Sequence, residues 1–553
     1  MQLCLNGSTI IPFPIMPWLD NPLEALLSPS FHFLSRLLEI PSLTKIEEIW
    51  HIVRSNAMAP VLQLAVITSL AMSVVLLIDI ASMGAISLTV KFLGHRPERR
   101  YKWEPINSDL EQGSSAYPMV LVQIPMYNEK EVYKFSIGAA CGLSWPSDRI
   151  FIQVLDDSTD LTIKDLVQLE CQIWASKGKS IVYEVRDNRK GYKAGALKKG
   201  MEYSYAQKCD FVAIFDADFQ PESDFLMKTI PFLMHNPKIG LVQARWQFVN
   251  PNECLMTRIQ RMTLDYHFKV EQEAGSSLFG FFGFNGTAGV WRVSAINEAG
   301  GWKDRTTVED MDLAVRASLK GWHFVFVGDV KVKSELPSTL KAYRNQQHRW
   351  TCGAANLFRK MSKEIVSTKD VSIWKKFYLL YSFFFVRKVV AHLVTFFLYC
   401  VVVPVSVFVP EVSVPIWGVA YIPTTITLLN AIRNPRSIIF MPFWILFENV
   451  MSMHRMKATL IGLFETGRVN EWVVTEKLGE AINIKPEPQI LEKDSFRLRD
   501  RINLSEIGFA VFLFLCACFD LIYGGNYYFV YIYLQSIAFL VVGLGYFGKF
   551  IAS

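Results

Sequence analysis

Apolar positions fall into two regimes along the chain. In the first they run almost unbroken. Ala59 to Val90 (APVLQLAVITSLAMSVVLLIDIASMGAISLTV) holds one acid, Asp79, and is long enough to cross a bilayer. The same density returns past about Phe377, within Lys388 to Val409, and in Pro415 to Ile432, Ile507 to Tyr523 and Tyr527 to Phe547. Each of these is read as a span. Ser437 to Phe464 is also apolar but carries Glu448, His454, Arg455 and Lys457, so it is read as a helix lying in the membrane interface. In the second regime, from about Ser108 to Trp350, short apolar runs alternate with helical patterns. MVLVQI stops at PMYNE and IFIQVL at DDSTD. IVYEV follows, then AGALKKGMEYSYA as a helix, then FVAIF stopping at DAD. Such alternation predicts a mainly parallel sheet covered on both faces. In sheets of that kind ligands bind beyond the carboxyl ends of the strands.

Composition adds three constraints. Hydrophobic residues make up 51% of the 553, with 40 Phe, 20 Tyr and 14 Trp, an excess that fits a membrane protein. The net charge of +6 suits anionic lipid heads or a phosphorylated ligand, and not a nucleic-acid partner. The nine cysteines are scattered without a Cys-x-x-Cys pair, so neither a zinc site nor a disulfide framework is expected. The N-terminal stretch has no basic region and carries prolines, so it is not read as a cleaved signal peptide. Basic residues at Lys91 to Arg100 and between Arg433 and Arg501 place the domain between the apolar regions in the cytosol by the positive-inside rule.

Acids cluster where the strands end. Asp216 and Asp218, two residues apart on an extended segment, face the same way and can share a hard divalent cation with a phosphate. Alone, they are better read as solvated loop acids; the buried strand before them and the other acid-tipped strands favour the metal. Asp156 and Asp157 close the second strand run. They suit a base or ribose edge, the metal, or an ordinary turn and helix cap. Arg186, Arg189, Lys190 and Lys193, with two glycines, precede a helix and suit a diphosphate. Glu309, Asp310 and Asp312 open an amphipathic helix; they complement its dipole or supply a general base. Gln346, Arg349 and Trp350 come just before the second apolar region. A Trp face stacks on sugar rings and an Arg balances a diphosphate.

In order, Asp156-Asp157, Asp216-x-Asp218, Glu309-Asp310 and Gln346-x-x-Arg349-Trp350, with spans on both sides, resemble the processive family 2 glycosyltransferases. The runs LDDSTD, RDNRKGYKAGALK, FDADFQP, FFGFNGTAGVWR and TVEDMDLAVRASLKGW look like the plant cellulose synthase-like A family of glucomannan 4-β-mannosyltransferases, or mannan synthases. Val308 stands where Thr is usual before Glu-Asp. The zinc region and large insertions of plant cellulose synthases have no counterpart. EWVVTEK is similar to the cellulose synthase gating loop, with Trp472 in place of Phe.

That resemblance implies an α/β fold, a GT-A (Rossmann-like, mainly parallel sheet) catalytic domain inserted between transmembrane helices. Residues 1–58 would be an N-terminal segment and 59–90 a transmembrane helix. The glycosyltransferase domain would occupy 101–350 and interfacial helices 351–387. Two transmembrane helices would follow in 388–432, an interfacial helix and gating loop in 433–504, and two more spans in 505–553. The gating loop must share a side with the catalytic domain, which gives about five spans.

The implied donors are GDP-mannose and GDP-glucose, and the implied acceptor is a growing β-1,4-linked glycan. Mn2+ or Mg2+ would sit on Asp216 and Asp218. Asp310 would be the catalytic base, with Asp157 also catalytic. Asp156, Lys193, Gln346, Arg349, Trp350, Thr475 and Lys477 would bind the nucleotide or substrate. Asn285, Gly286, Thr287 and Trp350 would meet the acceptor. A Golgi membrane location, lipid contact, and a homo-oligomer or accessory Golgi protein are part of the same picture. A Golgi enzyme can also use donors imported into the lumen, and glycosylation at the sequon Asn285-Gly286-Thr287 would obstruct the site. A β-1,4-glucan synthase using UDP-glucose and a non-catalytic membrane scaffold are the alternatives.

Overall fold

A computed structural model describes residues 48–94, 96–106, 113–186, 188–431, 435–466, 502–525 and 527–548. Thr475, Lys477 and the rest of the expected gating loop lie outside the described residues. Chain contacts separate residues 1–64 from residues 65–553. The described part of the first unit is helical, and the sheet, the core and the cavity described below belong to the second.

The soluble part is built on an eight-stranded sheet of order β3-β2-β1-β4-β7-β6-β8-β5. The strands are β1 (Val120–Met126), β2 (Ile150–Asp156), β3 (Ile181–Val185), β4 (Phe211–Ile214), β5 (Gln220–Pro221), β6 (Ile239–Phe248), β7 (Gly289–Arg292) and β8 (His323–Ser334). The half formed by β3, β2, β1 and β4 is parallel throughout, as the alternation of strand and helix patterns requires. The other half is mixed. β7 runs antiparallel to both β4 and β6, and β5 antiparallel to β8, while β6 and β8 are parallel. β7 reaches β4 directly from the loop carrying Asn285 to Thr287, which places that loop beside the tip of β4.

Alternation along each strand divides the core in two. Val120, Val122 and Ile124 of β1, with Phe211 and Ala213 of β4, face one cluster under the helices Tyr133–Cys141, Leu161–Ser176 and Phe225–His235. Leu121, Val212 and Ile214 face the other, beneath Tyr192–Met201 and Glu309–Leu319. This second cluster continues into Leu357, Met361 and Ile365 of the helix Leu340–Ser367. It then takes in Tyr378, Leu379, Phe383 and Phe384. The catalytic sheet and the membrane-proximal helices therefore share one apolar core.

Among the described residues, three helices are long and apolar enough to cross a membrane: Glu48–Phe92, Ile373–Ser406 and Leu504–Tyr523. The second begins well before the expected Lys388, because the run from Tyr378 is already apolar and helical. In the region expected to hold another span, helical structure runs only over Trp417–Tyr421 and Ile422–Ala431. Phe529–Gly543 is a shorter apolar helix. Three of the charges that suggested an interfacial helix at 437–464, Glu448, His454 and Arg455, find partners inside the protein, His454 with Glu506 at 2.6 Å. Arg455 pairs with Glu448 and donates to Gln347 Oε1 (3.0 Å) and the Tyr343 hydroxyl (3.0 Å), both on Leu340–Ser367.

Two apolar helices are joined by a buried ion pair. Arg387 Nε donates to Asp79 Oδ2 at 2.8 Å, and Ser382 Oγ donates to Asp79 Oδ1 at 2.5 Å. Their side chains are 9% and 6% exposed for Arg387 and Asp79. Removing one partner strands a charge in a poorly solvated place, whereas removing both does not. Arg387→Met is expected to destabilise the protein by about 3–5 kcal/mol, seen as a lower melting midpoint in detergent. Asp79→Leu combined with Arg387→Met should recover most of that loss.

Candidate active site

Adjacent residues at a strand end point to opposite faces, and this separates Asp156 from Asp157. Asp156 is buried and does not line the cavity beyond the strand tips, contrary to the expected nucleotide contact. Its Oδ1 accepts from the Ser158 N–H (2.8 Å) and its Oδ2 from the Tyr183 hydroxyl (2.8 Å), so it fastens the tip of β2. Asp157 faces the cavity and is gripped by Arg186, whose Nε donates to Oδ1 at 2.8 Å and whose Nη2 takes the other oxygen. Arg186 also donates to the carbonyls of Lys190 and Tyr192, each at 3.0 Å. Through Arg186, Asp157 is fastened to the turn that leads into the helix Tyr192–Met201.

That turn aims Lys193. Gly191 adopts φ +71° at the start of the helix Tyr192–Met201, and Lys193 lies in its first turn. The lysine reaches across the cavity to pair with Asp216 and donates to the Gly286 carbonyl at 2.9 Å. Asp216 and Asp218 both line the cavity just past β4.

The loop before β7 carries the expected acceptor residues, and it divides them. Thr287 is buried, and its Oγ1 accepts from the Asp216 N–H at 3.0 Å. It therefore positions the Asp216 backbone from outside the cavity lining. Gln243 of β6 secures the same loop by donating to the carbonyls of Thr287 and Ala288 (3.0 Å each). Asn285 and Gly286 do line the cavity. Asn285 Oδ1 accepts from Gln272 Nε2 at 2.8 Å and lies 3.1 Å from His267 Nε2. At Gly286, φ is +78°, and a Cβ would lie 2.8 Å from Asp310 Oδ2 and 3.4 Å from Lys193 Nζ. Only glycine allows Asp310 to come this close.

The three acids opening the helix Glu309–Leu319 have separate fates. Asp312 is fully buried and receives Arg305 Nε (2.9 Å) and Arg316 Nε (2.8 Å), a structural role. Asp310 faces the cavity, with Oδ1 accepting from the Met311 N–H at 2.7 Å. Glu309 is only 2% exposed but contributes to the same wall. Opposite them, Gln346, Arg349 and Trp350 project from the first turns of Leu340–Ser367 into the cavity, whose volume is about 170 Å³. Helix and acids are held together at Gly353, where a Cβ would stand 2.8 Å from Val308 Cγ1. The Thr306 hydroxyl donates to the Gly353 carbonyl at 3.3 Å.

Charge is concentrated here. Burial pushes the Glu309 carboxyl well above the usual range, and the neighbouring Asp310 charge adds to that. Burial also raises Asp310, against the pull of Lys193. Burial lowers Arg349, while Glu309, Asp216, Asp310 and Asp218 act in the opposite direction. Lys193 is held above its ordinary value because Asp216 and Glu309 outweigh the cost of its burial. The donor set at Asp216 and Asp218 fits a hard divalent ion that shares its ligands with a diphosphate. Among the described residues no group of three or more His, Cys, Asp or Glu side chains could hold a metal ion.

Comparison with known proteins bears directly on this arrangement. The model "Glycosyl transferase family 2" matches residues 121–288, and "Glycosyl transferase family group 2" matches residues 211–434. "Probable glucomannan 4-beta-mannosyltransferase 3" of Oryza sativa subsp. japonica is 67% identical over 521 residues, 93% of this chain and 94% of its own. "Glucomannan 4-beta-mannosyltransferase 2" of Arabidopsis thaliana is 63% identical over 507 residues, 91% and 95% of the two chains. The chain belongs to the glucomannan 4-beta-mannosyltransferases of glycosyltransferase family 2. A solved mannosyltransferase from Pyrobaculum calidifontis, in complex with GDP-Man and Mn2+, gives a TM-score of 0.48 at 17% identity over 72% of this chain and 100% of that one.

For a mannosyltransferase of this family, several residues that sequence motifs pass over shape the cavity. Asn128, at φ +52°, receives the N–H groups of Thr159 (3.0 Å) and Asp160 (3.2 Å) on its Oδ1 and so clips β1 to β2. Its signal is an Asn directly after a buried strand, the residue type that best tolerates that backbone region. Tyr127, Trp246 and Glu335 line the cavity with no motif to mark them. Gly286→Ala in this mannosyltransferase is expected to shift Asp310 and cut turnover about a hundredfold. GDP binding, followed by calorimetry, should change little.

Proposed function

We propose that the enzyme elongates a β-1,4-mannan or glucomannan backbone from GDP-mannose, with GDP-glucose as second donor. The observation that carries this reading is the meeting in one cavity of Asp216 and Asp218, Asp310, Arg349 and Trp350. Asp216 and Asp218 would hold Mn2+ or Mg2+, which when bound neutralises charge developing on the diphosphate. Arg349 and Lys193 face the same charge from the protein side. Trp350 stacks on the terminal acceptor sugar and Asn285 donates to it.

Asp310 Oδ2 accepts the proton of the acceptor 4-hydroxyl. The freed oxygen attacks the anomeric carbon of mannose, and the bond from that carbon to the β-phosphate oxygen breaks. The electron pair leaves with GDP. One in-line displacement converts an α-linked donor to a β-linkage, without a covalent sugar–enzyme intermediate.

The setting is a Golgi membrane with about five spans. The three long apolar helices support this, together with the shorter apolar ones near 417–431 and 529–543. Lipid, and an accessory protein or second copy, complete the surroundings.

Membranes carrying the chain should convert radiolabelled GDP-mannose into polymer that β-mannanase digests. Incorporation from UDP-glucose alone would overturn the reading in favour of a glucan synthase. Absence of metal-dependent nucleotide release from any donor would favour a scaffold.

Asp310→Asn should retain GDP binding and lose transfer by about a thousandfold. The pH profile should carry the same mark. A base must be ionised to act, and Asp310 is raised by burial. Transfer should therefore fall off on the acid side at a higher pH than an ordinary aspartate would give. Lys193→Met, by removing the neighbouring positive charge that holds Asp310 down, should move that acid limb upward.

A further inference from the structure

Lys193 occupies a position that two other things need. Its ammonium pairs with Asp216, one of the two carboxylates proposed to hold the metal, and at the same time donates to the Gly286 carbonyl at 2.9 Å. Its side chain is 11% exposed, while that of Asp216 is 35% exposed. Asp310 and Glu309 also act on Lys193 electrostatically. A divalent ion on Asp216 would have an ammonium at hydrogen-bond range of the same carboxylate. At that separation the two cations repel strongly in a half-buried site. Each therefore weakens the hold of the other on Asp216.

Resting on the metal–diphosphate reading above, we propose that Lys193 is an exchangeable counter-cation for Asp216. Without donor, it neutralises Asp216 and keeps the metal out. When metal and sugar nucleotide enter together, Lys193 leaves Asp216 and turns to the diphosphate. The Gly286 carbonyl keeps it anchored. Metal alone binds weakly, because displacing the lysine leaves an ammonium in a confined site without its carboxylate. The nucleotide supplies the anion that receives it. Metal and nucleotide therefore bind synergistically.

The same lysine ties donor to acceptor. Gly286 stands beside Asp310, and the next residue, Thr287, fixes the Asp216 backbone. Movement of Lys193 changes the charge facing Asp310 and the pull on the loop that carries Asn285. Lys193 is thus a positioning residue for the base as well as a ligand of the donor.

The test measures Mn2+ affinity of the purified full chain by electron paramagnetic resonance, with and without GDP. Lys193→Met keeps the length of the side chain and removes the charge. It should bind Mn2+ alone about tenfold more tightly than the wild type, and the tightening caused by GDP should shrink. Lys193→Arg, which keeps the charge, should bind Mn2+ alone as weakly as the wild type. Adding Asp216→Asn to Lys193→Met should abolish the tight Mn2+, which assigns the ion to this carboxylate.

Equal or weaker Mn2+ binding by Lys193→Met would overturn the proposal, as would tightening in Lys193→Arg. Tight Mn2+ surviving in Lys193→Met with Asp216→Asn would overturn it too. If Lys193→Met fails to fold, judged by its melting curve, the arginine variant decides through its GDP-dependent synergy: retained synergy supports the exchange and lost synergy overturns it. Mannosyl transfer from GDP-mannose by the wild type tests the donor assignment separately, so failure of one leaves the other readable.

Discussion

Four carboxylates facing one cavity repel one another, and that repulsion has to be held in check by the fold. Asp216 and Asp218 come from the tip of β4, Glu309 and Asp310 from a helix start. Arg349 and Lys193 are the cations that act on them, one from Leu340–Ser367 and one from Tyr192–Met201. Each cation therefore ties a separate helix to the strand tips. Weakening either would let the acids move apart or take up protons, and the cavity would lose the charge distribution that a diphosphate and a divalent ion require.

Holding these groups depends on a small number of close approaches. Gly286 lets a backbone turn lie against Asp310, and Gly353 lets the helix bearing Arg349 and Trp350 lie against Val308. Around them stand polar side chains that never meet the cavity. Thr287 accepts from the Asp216 N–H and Arg186 grips the Asp157 carboxylate, while Asp156 and Gln243 hold the strand tip and the loop beside them. Such supporting contacts fix reacting groups to within the tolerance that catalysis needs.

Much of this is legible in the sequence. Short apolar runs ending in acids locate the parallel half of the sheet and its crevice, because buried strands need apolar residues and the site needs charge. Asp216, Asp218, Asp310, Gln346, Arg349 and Trp350 meet where the motifs imply. What is not legible is which acid of a pair faces the cavity. Asp156 and Asp157 look alike in the sequence, and the pleat alone decides between them. Thr287 lies within a motif yet serves the backbone, since its neighbour on the adjacent strand tip needs an acceptor. Span boundaries blur for a different reason. The helix Ile373–Ser406 begins where its apolar residues pack on the core of the soluble part.

The shared core has a consequence for what can be isolated. One face of the catalytic sheet is closed by Leu357, Met361, Tyr378 and Phe384, residues that belong to the membrane-proximal helices. Cutting the chain after Trp350 would leave that face open to water and remove the packing behind Arg349. The smallest piece that keeps its shape therefore includes part of Ile373–Ser406, a helix long and apolar enough to cross a bilayer. Such a helix does more than anchor an enzyme, because its first turns also form one wall of the fold.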